Sequence, residues 1–284
     1  MARKVWVHGP IALDTVVHVS KFPTPGSFMN SLRTEQRTGG TSANIALGLS
    51  TTSVETGFVS YLGSDEIGRQ LLSVLEQSAI KDLVITYFED KTSQTLILVD
   101  ENFERTIISM TTPHLRELRM DNVPLNVGDI VAFILWREEF FADLQRAQAA
   151  GCLTVIGASA LADPAVGHAD LLIGSKNDFS SELNPLDHLD RFTTIVLTDG
   201  TNGSVAYNGN NEIRQPAYEV DVKDTTGAGD AFISGYLAGI AHGLDISQSL
   251  EVATKWAASS VQLHSSIPPA FEVVKEQWGL DFFP

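Results

Sequence analysis

Asp224-Thr225-Thr226-Gly227-Ala228-Gly229-Asp230-Ala231-Phe232 is the most informative stretch of this chain. Its glycines stand just before an apolar run, Ala231-Phe232-Ile233-Ser234-Gly235-Tyr236-Leu237, and the pattern predicts a helix over 228–242. A helix N-terminus leaves backbone N–H groups unpaired and carries partial positive charge. Small residues let an anion come close to those groups. An aspartate beside such an anion can accept the proton of an attacking hydroxyl while the amides stabilise a transferring phosphoryl group. An ordinary tight turn, with Asp230 complementing the helix dipole, would show the same local pattern. The stretch by itself leaves both readings open. It is not a Walker motif, since no Gly-Lys-Ser/Thr follows, and it lies too near the C-terminus for a dinucleotide fingerprint.

Outward from this point, short β-rich runs alternate with helical patterns. Val5–Gly9, Val54–Leu62, Ile130–Leu135, Leu153–Ile156, Ala169–Ile173 and Thr194–Thr198 read as strands. Ile45–Leu49, Ile67–Gln77, Phe140–Ala150 and Ile246–Leu263 read as helices. That alternation predicts an α/β fold, a doubly wound and mostly parallel sheet flanked by helices. Two segments break the rhythm. Asp14–Val19 leads into a turn-rich Pro/Gly stretch, and Thr92–Val99 with Thr106–Met110 reads as a hairpin. They are expected to form one small β-sheet lid, residues 10–38 and 86–110. Residues 1–9, 39–85 and 111–284 would be the core.

The bulk numbers limit the function. Of 284 residues 43% are apolar and 19% charged, enough for a large core and unlike a disordered chain. With 19 basic and 35 acidic residues the formal net charge is −16. Such a surface repels phosphate backbones and anionic lipid, so no nucleic-acid or membrane partner is expected. Cys152 is the single cysteine, which excludes an intrachain disulfide and reads as a buried thiol. No apolar run is long enough for a membrane span, and no secretory leader is read at the start, so a cytoplasmic protein is expected.

Three more stretches accompany the first. They are Gly39-Gly40-Thr41-Ser42-Ala43-Asn44-Ile45-Ala46, Gly63-Ser64-Asp65-Glu66-Ile67-Gly68 and Thr198-Asp199-Gly200-Thr201-Asn202-Gly203. With these four in this order the sequence resembles the ribokinase-like carbohydrate kinases, also called the phosphofructokinase-B group. The resemblance implies an ATP-dependent kinase acting on a sugar or sugar-like hydroxyl. Asp230 would be the catalytic base, with Gly227, Ala228 and Gly229 as the anion hole. Asp14, Gly39, Gly40 and Asn44 would bind the substrate. Asn177, Thr198, Gly200 and Gly203 would lie on the nucleotide side. Asp224 and Thr226 resemble positions that hold a monovalent cation, potassium, in several members, and Mg2+ would accompany ATP. In the hairpin, Glu104-Arg105 resembles a frequent Glu-Arg pair, and Arg105 is either a substrate contact or a solvated turn residue.

Some positions depart from the family pattern. Ser180 stands where the Asn-x-x-Glu motif begun by Asn177 has its glutamate, with Asp178 and Glu182 as the nearest substitutes. Ala12 stands where ribokinases proper have a hydroxyl-binding asparagine, which points away from ribose. Ser265-Ser266 replaces a usual Gly-Ala. Trp136-Arg137-Glu138-Glu139 follows a strand end, a good position for substrate contacts, but the pattern assigns it no role. Lids of this family often pair into homodimers, and Ile97, Val99, Ile107 and Met110 are either the apolar candidates for that face or inward-packing residues. A nucleoside kinase of the same family, or a catalytically weak sugar-binding regulatory protein, are the alternative readings.

Overall fold

The computed structural model describes residues 2–89, 91–102, 104–111, 118–179 and 184–283. Among the described residues nine strands form one sheet and four form another. The large sheet takes β1 (Val5–His8), β4 (Thr56–Gly63), β5 (Asp82–Phe88), β8 (Ile130–Phe133), β9 (Leu153–Gly157), β10 (Ala169–Ser175), β11 (Phe192–Thr198), β12 (Ser204–Asn208) and β13 (Asn211–Gln215). Their order is β13-β12-β11-β10-β9-β8-β1-β4-β5, with only β12 and β13 antiparallel to their neighbours.

Alternation along the strands explains why helices cover both faces. Val5 and Val7 of β1, and Ile130 and Ala132 of β8, enter one core with α1 (Thr41–Leu49), α2 (Glu66–Gln77), α4 (Ala228–Ala241), α5 (Ile246–Ser260) and α6 (Phe271–Trp278). Trp6, Val131 and Phe133 point the other way, into a second core shared with α3 (Phe141–Ala149). Side chains two apart share a face, so one buried strand feeds both layers. Cys152 is buried in the second core, and that burial pushes its thiol up to about 11.

The small sheet is β3-β2-β6-β7, from β2 (Ala12–His18), β3 (Arg33–Gly39), β6 (Gln94–Val99) and β7 (Arg105–Thr111). Several sequence expectations shift here. The partial alternation of Asp14–Val19 suggests an exposed strand, yet Asp14 is 7% exposed, and Val16 is 1% exposed because it packs on Ile97 and Val99. Thr86–Phe88, expected in the lid, pair with Tyr61–Gly63 in the large sheet. β3 was not anticipated, since Arg33-Thr34-Glu35-Gln36-Arg37-Thr38 has no apolar alternation to report a buried face.

The registers sort the small sheet's two faces. Asp14, Thr95 and Ser109 lie in one cross-strand row, Val16, Ile97 and Ile107 in the next, and His18, Val99 and Arg105 in the third. Thr95, Ile97, Arg105, Ile107 and Ser109 all border the same cleft. The expected dimer residues Ile97, Val99 and Ile107 therefore lie on the inner face, Ile97 and Val99 being buried. The outer face carries Val17, Leu96, Leu98, Ile108 and Met110 instead.

The connection from β5 to β6 is pinned at its base. Asp65 caps α2 by accepting from Gly68 N at 2.8 Å, and accepts from Thr92 Oγ1 at 2.6 Å and Thr92 N at 3.0 Å. These bonds hold its carboxyl below the usual range despite partial burial. The Gly63–Gly68 stretch thus anchors the link between the two sheets.

Candidate active site

A cleft of about 710 Å³ opens between the C-terminal ends of the large sheet's strands and the inner face of the small one. In the sheet order, β1 lies between β4 and β8, where the winding changes direction. Ligands of open α/β sheets bind at such a switch point.

The α4 N-terminus forms one wall. Gly227 caps it at φ 79, a left-handed conformation, and an added Cβ would stand 2.2 Å from the Ser266 carbonyl oxygen. The first intrahelical bond runs from Ala231 N to Gly227 O at 2.9 Å, which leaves the N–H groups of Gly229 and Asp230 without intrahelical acceptors. An added Cβ on Gly229 would meet nothing within 4 Å, so that flank is open to the cleft.

Asp230 lies in the same first turn and lines the cleft. Asn44 Nδ2 donates to its Oδ2 at 2.7 Å. Burial pushes its carboxyl up to about 7; Asn44 and the Arg105 guanidinium oppose the rise and Asp14 adds to it. Asn44 Oδ1 is buried and has no hydrogen-bond partner among the described residues, so a ligand donor can satisfy it. Burial likewise raises Asp14 to about 6, against the pull of Arg37 and a hydrogen bond from Thr95. Only glycine fits opposite Asp14, since a Cβ on Gly39 would stand 1.9 Å from Asp14 Oδ2. At Gly40, with φ 95, an added Cβ would stand 2.8 Å from the Pro10 carbonyl oxygen. A buried carboxylate, a carboxyl with a raised pKa and two exposed helix amides can bind hydroxyls, accept a proton and hold an anion.

The fold brings Asp14, Gly40, Asn44, Thr198, Thr226, Gly227, Gly229 and Asp230 to one cleft. Gly39 stands directly behind Asp14, and Ala228 begins α4. Asn177, Gly200, Gly203 and Asp224 do not reach the cleft wall. Asn177 sits in a 3-10 turn, Lys176–Asp178, whose Asp178 does line the cleft. Gly200 and Gly203 frame the turn between β11 and β12, tied to the first turn by Lys176 Nζ and Asp199 Oδ2 at 2.6 Å. Ser180 and Glu182 lie outside the described residues. Asp224 Oδ1 accepts from Thr226 N at 2.8 Å, and Oδ2 faces Arg37 NH1 at 3.6 Å. That guanidinium sets a positive charge beside the Asp224 carboxylate. Among the described residues no cluster of three His, Cys, Asp or Glu could hold a metal.

Sequence reasoning missed Arg37, Tyr61, Ser93 and Thr95. Arg37 and Thr95 flank Asp14 across β3 and β6, and only the strand register reveals them. Tyr61 Oη accepts from Ser93 Oγ at 3.4 Å on the cleft wall.

A family model for pfkB carbohydrate kinases matches residues 2–272. The chain belongs to the pfkB family of carbohydrate kinases. This pfkB kinase is 29% identical over 241 residues to fructoselysine 6-kinase of Escherichia coli, covering 80% of this chain and 91% of the relative. The nucleoside kinase structure from Methanocaldococcus jannaschii superposes with a TM-score of 0.80 at 24% identity, covering 97% of each chain. The Arabidopsis thaliana ribokinase complexed with ribose and ATP gives 0.78 at 20% identity, covering 97% of this chain and 98% of that one. The fold is therefore ribokinase-like, and as a pfkB kinase the protein is a phosphotransferase with an alcohol group as acceptor. Among the described residues no helix is long and apolar enough to cross a membrane.

Proposed function

We propose that this kinase moves the γ-phosphoryl group of ATP to a hydroxyl of a sugar or sugar-like molecule, with Asp230 as the catalytic base. The observation that carries the reading is the position of Asp230. It is held by Asn44, sits in the first turn of α4 beside the open Gly229 amide, and has a carboxyl that burial raises to about 7. The acceptor hydroxyl gives its proton to the Asp230 carboxylate as its oxygen bonds to the γ-phosphorus. The bond to the bridging oxygen breaks and leaves ADP. The Gly229 and Asp230 amides stabilise the charge on the transferring group. Asp14, backed by Gly39 and Thr95, accepts hydrogen bonds from other hydroxyls. The small sheet excludes water that would otherwise take the phosphoryl group.

Thr198, Gly200 and Gly203 would shape the nucleotide side. Magnesium, when bound, would neutralise phosphate charge, with Asp178 the nearest carboxylate of the Asn177 turn on the cleft wall. The division into core and lid follows the two sheets. We also propose that the outer lid face pairs with a second copy, because Ile108 and Met110 are 45% and 49% exposed on it.

The test is ADP formation from ATP and magnesium over a panel of sugars and nucleosides. The reading expects turnover with at least one sugar-like acceptor. Turnover restricted to nucleosides would move the acceptor to that class. A panel in which a sugar raises the melting temperature and none yields ADP would favour a binding protein on a kinase scaffold.

A further inference from the structure

The proposed reaction gives no task to the Arg137 guanidinium on the cleft wall. Arg137 follows β8 and stands at the switch point between β8 and β1, on the acceptor side of the cleft. Its backbone is fixed on both sides. Trp136 is buried and donates from Nε1 to Asp163 Oδ2 at 2.8 Å, and Phe140 is fully buried at the end of the 3-10 turn that follows. The Arg137 side chain is exposed to the cleft. Among the described residues it makes no ion pair and no hydrogen bond, although its field reaches the Tyr61 hydroxyl. Among the described residues Arg119 and Arg191 also lack a carboxylate, but backbone carbonyls hold their guanidinium groups, whereas that of Arg137 is left to the cleft. The inner lid face presents a second cation to the same space. Arg105 approaches Thr225 Oγ1 at 3.4 Å and likewise has no carboxylate within ion-pair distance among the described residues.

A guanidinium has donors only and matches carboxylate or phosphate oxygens in a two-pronged geometry. Neutral hydroxyls already have Asp14 and Asn44 to bind them. We propose that Arg137 reads an anionic group on the acceptor, so that the preferred substrate is a sugar or polyol carrying a carboxylate or phosphate. This rests on the kinase reading of the cleft.

The experiment uses the full chain, with Arg137→Met and Arg137→Lys variants. Acceptors are five- and six-carbon sugar acids, hexose monophosphates and their neutral parents, followed by calorimetry and by steady-state turnover. The anionic members are expected to have kcat/KM about tenfold or more above their neutral parents. Arg137→Met should raise KM for the anionic acceptor about 10- to 100-fold with little change in kcat, the mark of lost uniform binding. Arg137→Lys should restore part of that loss by charge alone. Whichever of the carboxylate and phosphate series shows the Arg137 dependence identifies the group. The proposal is overturned if neutral parents are preferred, if no anionic member binds, or if Arg137→Met raises KM for ATP instead. Calorimetry separates the two claims. Loss of turnover in every arm with Arg137-dependent binding retained would remove the kinase reading and leave this one standing.

Discussion

The proton on Asp230 is where local structure meets chemistry. An aspartate ordinarily titrates near 3.8, and burial lifts this one to about 7. A base must be ionised to accept a proton, so kcat/KM should fall about tenfold per pH unit below pH 7 and level off above it. The same shift has a stability consequence. Between pH 3.8 and about 7 the folded carboxyl holds a proton that the unfolded one has lost, so stability declines as pH rises through that window. Asp230→Asn removes the effect. It should raise stability at pH 8 by about 1–2 kcal/mol, a figure reduced for water in the cleft, read from chemical denaturation. The two glycines beside it separate folding from function. Gly227→Ala forces a Cβ to 2.2 Å from Ser266 O at φ 79 and should cost about 1–3 kcal/mol. Gly229→Ala meets no protein atom and should leave the melting temperature unchanged or slightly higher, while turnover falls because the methyl fills the space kept for the phosphate.

At the level of elements, α4 is aimed by its packing on α5. Gly235 leaves room for the Ala253 backbone, where an added Cβ would stand 2.7 Å from Cα, and Gly239 does the same for Ser249. Gly235→Val should therefore destabilise by about 1–3 kcal/mol and displace the Asp230 turn, lowering both melting temperature and kcat. The helix was legible in sequence because its apolar run follows small residues that mark a start, while the use of its glycines became legible only with the other three stretches. The core strands were legible because Val, Ile and Phe runs between turns report burial on both faces. β3 was not, because its residues are polar on both faces and its place comes from pairing with β2. Arg37 and Thr95 were missed for the same reason: strand register is not written in either segment alone.

Across the whole molecule, the site is a junction of two sheets. Arg105 reaches Thr225 at 3.4 Å, and Ser266 Oγ donates to Thr38 O at 3.2 Å, so lid and core meet on both sides of the α4 start. The outer lid face leaves Ile108 and Met110 exposed. If that face pairs two copies as proposed, the native protein should sediment as a dimer and Met110→Lys, placed on that face, as a monomer; equal masses for the two would contradict the pairing. The order of the four glycine-bearing stretches made the family legible from sequence. The acceptor was not, because the cleft wall proposed to hold it draws Asp14, Tyr61, Thr95 and Arg137 from segments far apart in the chain that only the folded sheets assemble. The central claim, that Asp230 takes the acceptor's proton, is tested most directly by ADP release from Asp230→Asn with an acceptor that the native protein turns over, alongside that acceptor's effect on the melting temperature. The account predicts a fall in kcat of about 10²- to 10⁴-fold with the acceptor-induced rise in melting temperature kept. Turnover within a few fold of the native protein would contradict it.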